Sequence, residues 1–167
     1  KSTTLALISG LEAASAGTVS VFGEPVTAVV RGVGYVFQRD AVFPWKSVLN
    51  NVAMGPRFRG VATTQANVDA RQWIARVGLD GFERHYPHQL SGGMRKRVSL
   101  AQTLVLDPDI ILMDEPFSAL DIQTRQLMEN EVLALWAAKK KAVLFITHDL
   151  DEAIAMSDRV VCLSAGP

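Results

Sequence analysis

The chain has 167 residues, 49% hydrophobic and 20% charged, with 17 basic side chains against 17 acidic and a net charge of zero. This length can bury a substantial core, and the charge balance argues against a nucleic-acid binder driven by a broad basic face. No uninterrupted apolar stretch approaches the roughly 20 residues that span a bilayer, and the single cysteine, Cys162, leaves no internal disulfide and suits a reducing compartment.

In chain order, Thr4 to Ser9 reads as a helix ending near Gly10, and Thr18 to Phe22 alternates before Gly23 as a short antiparallel strand. Gly34 to Gln38 is a second strand that delivers Gln38 at its end. Helical spacing dominates from about Trp45 to Leu106, with helices predicted over Ser47–Met54, Thr64–Val77 and Ser91–Leu106. Strand and helix then alternate: strand Ile110–Met113, helix Ile122–Ala138, strand Ala142–Thr147, helix Leu150–Met156, strand Arg159–Leu163. Strands separated by helices imply a parallel sheet. Cys162 falls in the last apolar run and reads as a buried strand cysteine. No internal repeat or low-complexity tract interrupts the pattern.

Two segments carry chemistry. In Leu90-Ser91-Gly92-Gly93-Met94, glycines without a Cβ let backbone N–H groups approach an anion. Met94, Val98, Ala101 and Val105 continue it as one apolar helical stripe. Ser91 is therefore an N-cap, and its helix points a positive end of about half a charge at whatever lies in front. Phosphate is the natural candidate. In Ile110-Ile111-Leu112-Met113-Asp114-Glu115-Pro116, an apolar run suited to a strand buried on both faces ends in two carboxylates. Ligands of open parallel sheets bind at that end. Successive strand residues face opposite ways, so Asp114 is suited to hold Mg²⁺ and Glu115 to polarise an attacking water. His148 ends a second apolar strand at the same edge. Read alone, Gln38 is equally a surface amide or a group at the site. The cation run Arg95-Lys96-Arg97 fits nearby phosphate or acidic partners and equally an exposed helix face, and Lys139-Lys140-Lys141 reads as a solvated turn.

Lys1-Ser2-Thr3, Gln38, Leu90 to Met94, Ile110 to Pro116, Ser118-Ala119-Leu120-Asp121 and His148 resemble, in order and spacing, the motifs of ABC transporter nucleotide-binding subunits. In that family these are the end of the Walker A loop, the Q-loop, the signature, Walker B, the D-loop and the switch histidine. The resemblance implies an α/β P-loop NTPase (RecA-like) fold: a parallel-sheet core over residues 1–44 and 107–167, a small antiparallel β region, and an inserted helical subdomain over 45–106. Because the sequence opens at Lys1, inside Walker A, the expected chain is an N-terminally truncated piece of that domain. Ala165-Gly166-Pro167 likewise reads as an interruption after a strand.

The resemblance also implies a division of labour. Lys1, Ser2 and Thr3 bind ATP, with Ser2, Gln38 and Asp114 as Mg²⁺ ligands. Glu115, His148 and Gln38 are the catalytic candidates. Ser91, Gly92 and Gly93 close over the ATP held by a second copy, and Asp121 lies at the seam of a head-to-tail homodimer. Neither copy alone completes the cage. A transmembrane permease is the expected partner, contacted around Phe43, Pro44 and Trp45, with a periplasmic or extracellular solute-binding protein engaged indirectly and no nucleic acid. This places the subunit peripherally on the cytoplasmic face of the membrane. Phe43 to Val52 resembles the importer subgroup for nitrate, sulfonate and taurine. The alternatives are a non-transport ABC ATPase, acting in DNA repair or translation, and a fragment without ATPase activity. Lys96 stands where the family usually has glutamine, and Gln102 where it has arginine.

Overall fold

The structure, a computed structural model, describes residues 1–139 and 141–164. Lys140 and Ala165-Gly166-Pro167 lie outside the described residues. The chain opens on α1 (Ser2–Ser9), which buries Leu5 and packs beside the central strand of the main sheet. Gly10 ends the helix in the left-handed region at φ 75°, and the amide of Leu11 closes back onto the Ala6 carbonyl at 3.0 Å.

The expected strand over Thr18–Phe22 is shorter than its alternation implied. Only β1 (Ser20–Val21) pairs, antiparallel with β2 (Glu24–Pro25). Phe22 and Gly23, at φ 55° and 82°, form the two-residue loop between them, since positive φ at both central positions matches the twist of a tight hairpin.

The main sheet has β3 (Val33–Val36), β4 (Ile110–Asp114) and β5 (Ala142–Ile146) in the order β3-β4-β5, with both pairings parallel. Its register sets Val36 beside Met113 and Met113 beside Phe145. β4 is buried along Ile111 to Asp114, as its unbroken apolar run requires. β5 forms an edge of the described sheet and is half-exposed despite its apolar composition. β3 stops at Val36, so Gln38 stands two residues beyond the ladder.

Between β3 and β4 lie α2 (Val48–Phe58), α3 (Thr63–Arg76), a 3-10 turn at Pro87–Gln89, and α4 (Gly92–Leu104). Ser47 caps α2 by accepting from the Asn50 amide, and Ser91 caps α4 by accepting from Met94 at 3.2 Å. The three helices pack on one another, and α4 also packs on β3. Val36, Ile111 and Met113 of the sheet share one apolar cluster with Val52, Ile74, Val98 and Leu104 of the helices. Asn51 is buried in this region and organises the connection before it. Its side-chain oxygen accepts from the Phe43 amide at 2.8 Å, and its amide group donates to Lys46 and Ser47 carbonyls at 2.9 and 3.1 Å.

Beyond β4, α5 (Ile122–Lys139) and α6 (Leu150–Met156) follow the predicted alternation. Two expectations fail. Residues 159–164 form no strand among the described residues, and Cys162 is exposed there, because an apolar run becomes a strand only where a neighbour offers a ladder. Lys141 is also not part of a solvated turn: it is buried, and its ammonium pairs with Asp107 at 2.8 Å.

A Cβ added at Gly10 would sit 2.0 Å from the Ala28 carbonyl oxygen. Gly10→Ala therefore combines a left-handed backbone penalty with a clash against immobile backbone, and should cost roughly 2–4 kcal/mol. Urea unfolding with a lowered midpoint and an unchanged m-value is the expected result.

Candidate functional site

Parallel pairing brings three chain segments out at one edge of the sheet. Glu115 follows β4 there and is the pivot of the site. Its carboxylate accepts from Gln38 Nε2 at 3.2 Å on one side and faces His148 Nδ1 at 3.6 Å on the other. Glu115 has φ 46°, an uncommon conformation for a residue with a side chain, and its amide still donates to the Ile146 carbonyl at 2.9 Å. Such strain, of order 1–3 kcal/mol, persists where the surroundings over-determine it and clusters at functional positions. Those surroundings are firm, since Asp114, Pro116 and Phe117 are all buried.

Asp114 differs sharply from its neighbour. It is 5% exposed, and its side-chain oxygens take no hydrogen bond or ion pair among the described residues. A buried carboxylate in that condition is suited to a cation. Its charge reaches nearby groups: together with burial, the larger cause, it raises the pKa of Tyr35 on β3, whose ring stacks on Phe37 at 4.3 Å.

His148 is exposed, its side chain 70% accessible, and the segment around it is tied down by a network the sequence did not reveal. Arg125 of α5 pairs with Asp149 at 3.1 Å and Glu152 at 3.6 Å. Glu152 accepts from the Thr147 hydroxyl at 2.6 Å, and the Asp149 amide donates to the same hydroxyl at 2.9 Å. Asp149 also caps α6 through the Asp151 and Glu152 amides. A small cleft lined by Glu115, Ser118, Arg125, Thr147 and His148 runs between this network and the end of β4. In the sequence Arg125 has only its spacing from the motif segments, which carries no signal of contact across 24 residues.

Lys1, Ser2 and Thr3 are exposed at the start of α1, which packs against β4. Ser91 and Gly92 are exposed at the start of α4. Gly93 stands against Ala119 and Leu120, where an added Cβ would meet the Ala119 carbonyl at 3.2 Å and Leu120 at 3.5 Å. The cation run on α4 resolves residue by residue. Arg95 pairs with Asp40 at 3.1 Å, Lys96 is buried and donates to backbone carbonyls, and Arg97 donates to Val77 and Gly78 carbonyls, both at 2.9 Å. Acidic and carbonyl partners, not solvent, account for all three. Phe43 is half-buried and meets Trp45 edge-on at 5.6 Å, while Pro44 and Trp45 are exposed, Trp45 at 69%.

The ABC transporter family profile matches residues 1–118, and the chain belongs to that family. It is 47% identical to an uncharacterised ABC transporter ATP-binding protein of Methanocaldococcus jannaschii over 167 residues, covering 100% of this chain and 62% of that protein. It is 42% identical to the taurine import ATP-binding protein TauB of Yersinia pestis, again over 100% of this chain and 66% of the relative. The aliphatic sulfonates import ATP-binding protein SsuB of Bacillus cereus is 40% identical, with 65% of its length covered. The chain thus spans less than two thirds of the curated relatives it matches. A solved dimeric, post-hydrolysis ATP-binding cassette bound to ADP and Pi superposes with a TM-score of 0.84 at 28% identity, over 91% of this chain and 71% of the other. The P-loop ATPase fold follows from that likeness, with its parallel sheet and small antiparallel pair.

Asp121 has a local structural task. Its carboxylate accepts from the Thr124 amide at 3.0 Å at the start of α5, and the hydrogen bonds with Thr124 hold its pKa below the ordinary 3.8. A depressed folded-state pKa contributes stability that is full above the unfolded value and lost as pH falls through the folded one. Asp121→Asn keeps the capping oxygen but cannot titrate. Thermal melts between about pH 6 and 2.5 should show the variant gaining on the parent as pH falls.

Proposed function

We propose that the chain is the greater part of an ATP-hydrolysing subunit that powers an ABC importer for a small sulfonate-like anion such as taurine or another sulfonate, with nitrate as the next candidate. The observation that carries this reading is the Glu115 carboxylate held between the Gln38 amide and the His148 imidazole at 3.2 and 3.6 Å, beside the buried, unpaired Asp114. The importer assignment is supported by identities of 42% and 40% to TauB and SsuB across the whole chain.

In this reading Lys1 meets the β- and γ-phosphates at the start of α1, and Thr3 lies in the same turn. Ser2 and Asp114 hold Mg²⁺ with Gln38 near it. When bound, Mg²⁺ offsets the charge of the phosphates and fixes their orientation. Glu115 accepts a proton from a water that attacks the γ-phosphorus as the bond to the β–γ bridging oxygen breaks, giving ADP and Pi. Gln38 steadies that carboxylate, and His148, exposed beside it, contacts the γ-phosphate. Ser91, Gly92 and Gly93 are directed to the ATP of a second copy in a head-to-tail dimer, with Asp121 near the seam. The dimeric arrangement of the related cassette supports this. The helical residues 45–106 form the subdomain that carries the signature.

Trp45 is the strongest candidate for contact with a permease, because a large exposed aromatic beside a proline suits a shallow apolar groove. No described helix is long and apolar enough to cross a membrane. Peripheral attachment through such a contact, at the cytoplasmic face, is the reading we adopt from the likeness to importer ATP-binding proteins. The solute-binding protein is engaged through the permease.

A chain extended at both ends to the length of its relatives should hydrolyse ATP. In it, Glu115→Gln should lower turnover at least about 100-fold while retaining ATP binding; intact turnover would remove Glu115 from the water-activating role. In membranes containing the permease, Trp45→Ala should reduce permease-stimulated hydrolysis more than hydrolysis by the free subunit, measured as phosphate release.

A further inference from the structure

Lys96 is 1% exposed, yet no step of the proposed hydrolysis uses it. It lies early on α4, and its ammonium donates to the Phe37 carbonyl at 2.7 Å and the Gln38 carbonyl at 3.0 Å. Both carbonyls lie past the last pair of the β3–β4 ladder, Val36 with Met113. Arg95 holds the same segment slightly further on. It pairs with Asp40 at 3.1 Å while also donating to the Leu90 carbonyl at 2.8 Å. Two successive residues of α4 thus clasp residues 37–40, and from within that clasp the Gln38 side chain reaches Glu115 at 3.2 Å.

Burying a cation is costly unless its hydrogen bonds are met. Lys96 meets that cost with carbonyls, not a salt bridge. A Met of similar volume would fill the space but leave both carbonyls without their donor. A side chain directed at a reacting group needs its backbone fixed to within about 0.5 Å. Gln38 is exposed and extends from a segment outside the sheet, so its own surroundings do not supply that restraint.

We propose that Lys96 is a positioning residue: by holding the Phe37 and Gln38 carbonyls it aims the Gln38 amide at Glu115, and it makes that aim depend on the position of α4 and therefore of Ser91–Gly93. The inference rests on the hydrolytic reading above and adds to it a physical link between the signature helix and the water-activating carboxylate. The link works through hydrogen-bond donors, so an uncharged donor pair serves in its place.

The test is a mutant cycle in the length-extended chain, with kcat, KM for ATP and melting temperature measured for each variant. Lys96→Met should lower kcat about tenfold with KM changed less than about twofold. Lys96→Gln, which retains two N–H donors, should stay within about threefold of the parent. In a Gln38→Ala background Lys96→Met should add less than about twofold, because its effect is exerted through Gln38. Unchanged kcat in K96M, or an equal loss with and without Gln38, overturns the proposal. Where K96M does not fold, K96Q decides: a loss beyond threefold that persists in the Gln38→Ala background overturns it, and any smaller or Gln38-dependent loss supports it. An extended parent chain with no ATPase activity would instead refute the hydrolytic reading.

Discussion

The parallel pairing of β4 with a neighbour on each side is the constraint from which the rest of the site follows. Parallel strands all end at the same edge, and the register aligns Val36, Met113 and Phe145 across the sheet. Gln38 and Glu115 each stand two residues past that line, and His148 three. Three side chains far apart in sequence are thereby delivered to one place by ladder hydrogen bonds alone. A slip of one residue between β3 and β4 would turn every side chain of the slipped strand to the other face, and the alternation of β3, with Gly34 and Val36 buried and Val33 and Tyr35 only partly so, opposes it.

Register brings the groups together but does not aim them. Glu115 leaves the ladder at φ 46°, and this turn is held because Pro116, Phe117 and Leu120 are buried immediately after it. Gln38 leaves β3 with no comparable packing and is instead held by hydrogen bonds from α4. His148 is held through its neighbours, with Thr147, Asp149 and Glu152 joined to Arg125. The three groups are fixed by three different devices: strain backed by packing, a clasp from another element, and a local charged network. Arg125 and Asp149 are half-buried and Glu152 is buried, so the network holds the segment around His148 in one geometry.

What the sequence made legible was whatever depends on short-range pattern. The period of Met94, Val98, Ala101 and Val105 gave a helix whose inward face joins the core, and the apolar run before Asp114 gave a buried strand. Ser91 as an N-cap was readable from its chemistry alone and accepts from Met94 as expected. Positions whose environment is assembled from distant segments were not legible. Lys141 reads as solvated and Lys96 stays open between partners and solvent, because a charge is visible in a sequence and the carbonyls or carboxylate that meet it are not. Residues 159–163 have the composition of a strand, but strand formation is a property of a pair. Arg125 carried no signal because its partners lie beyond the next strand.

The distribution of exposure gives the last step. Asp114, at the base of the site, is buried, whereas Lys1, Ser2, Gln38, His148, Ser91 and Gly92 are all exposed. A phosphate held only by groups of this kind would remain in water, where their attraction is weakened by a high dielectric. Effective hydrolysis in the proposed reading requires a second surface that excludes water and adds donors. The free hydroxyl face and amides of another copy's α4 N-terminus are suited to provide it. Because α4 also clasps the segment carrying Gln38, seating that helix against a phosphate on one copy would bear on the aim of Gln38 within the copy that supplies it. The two sites of a dimer would then be coupled by the position of α4 without any change in the sheet.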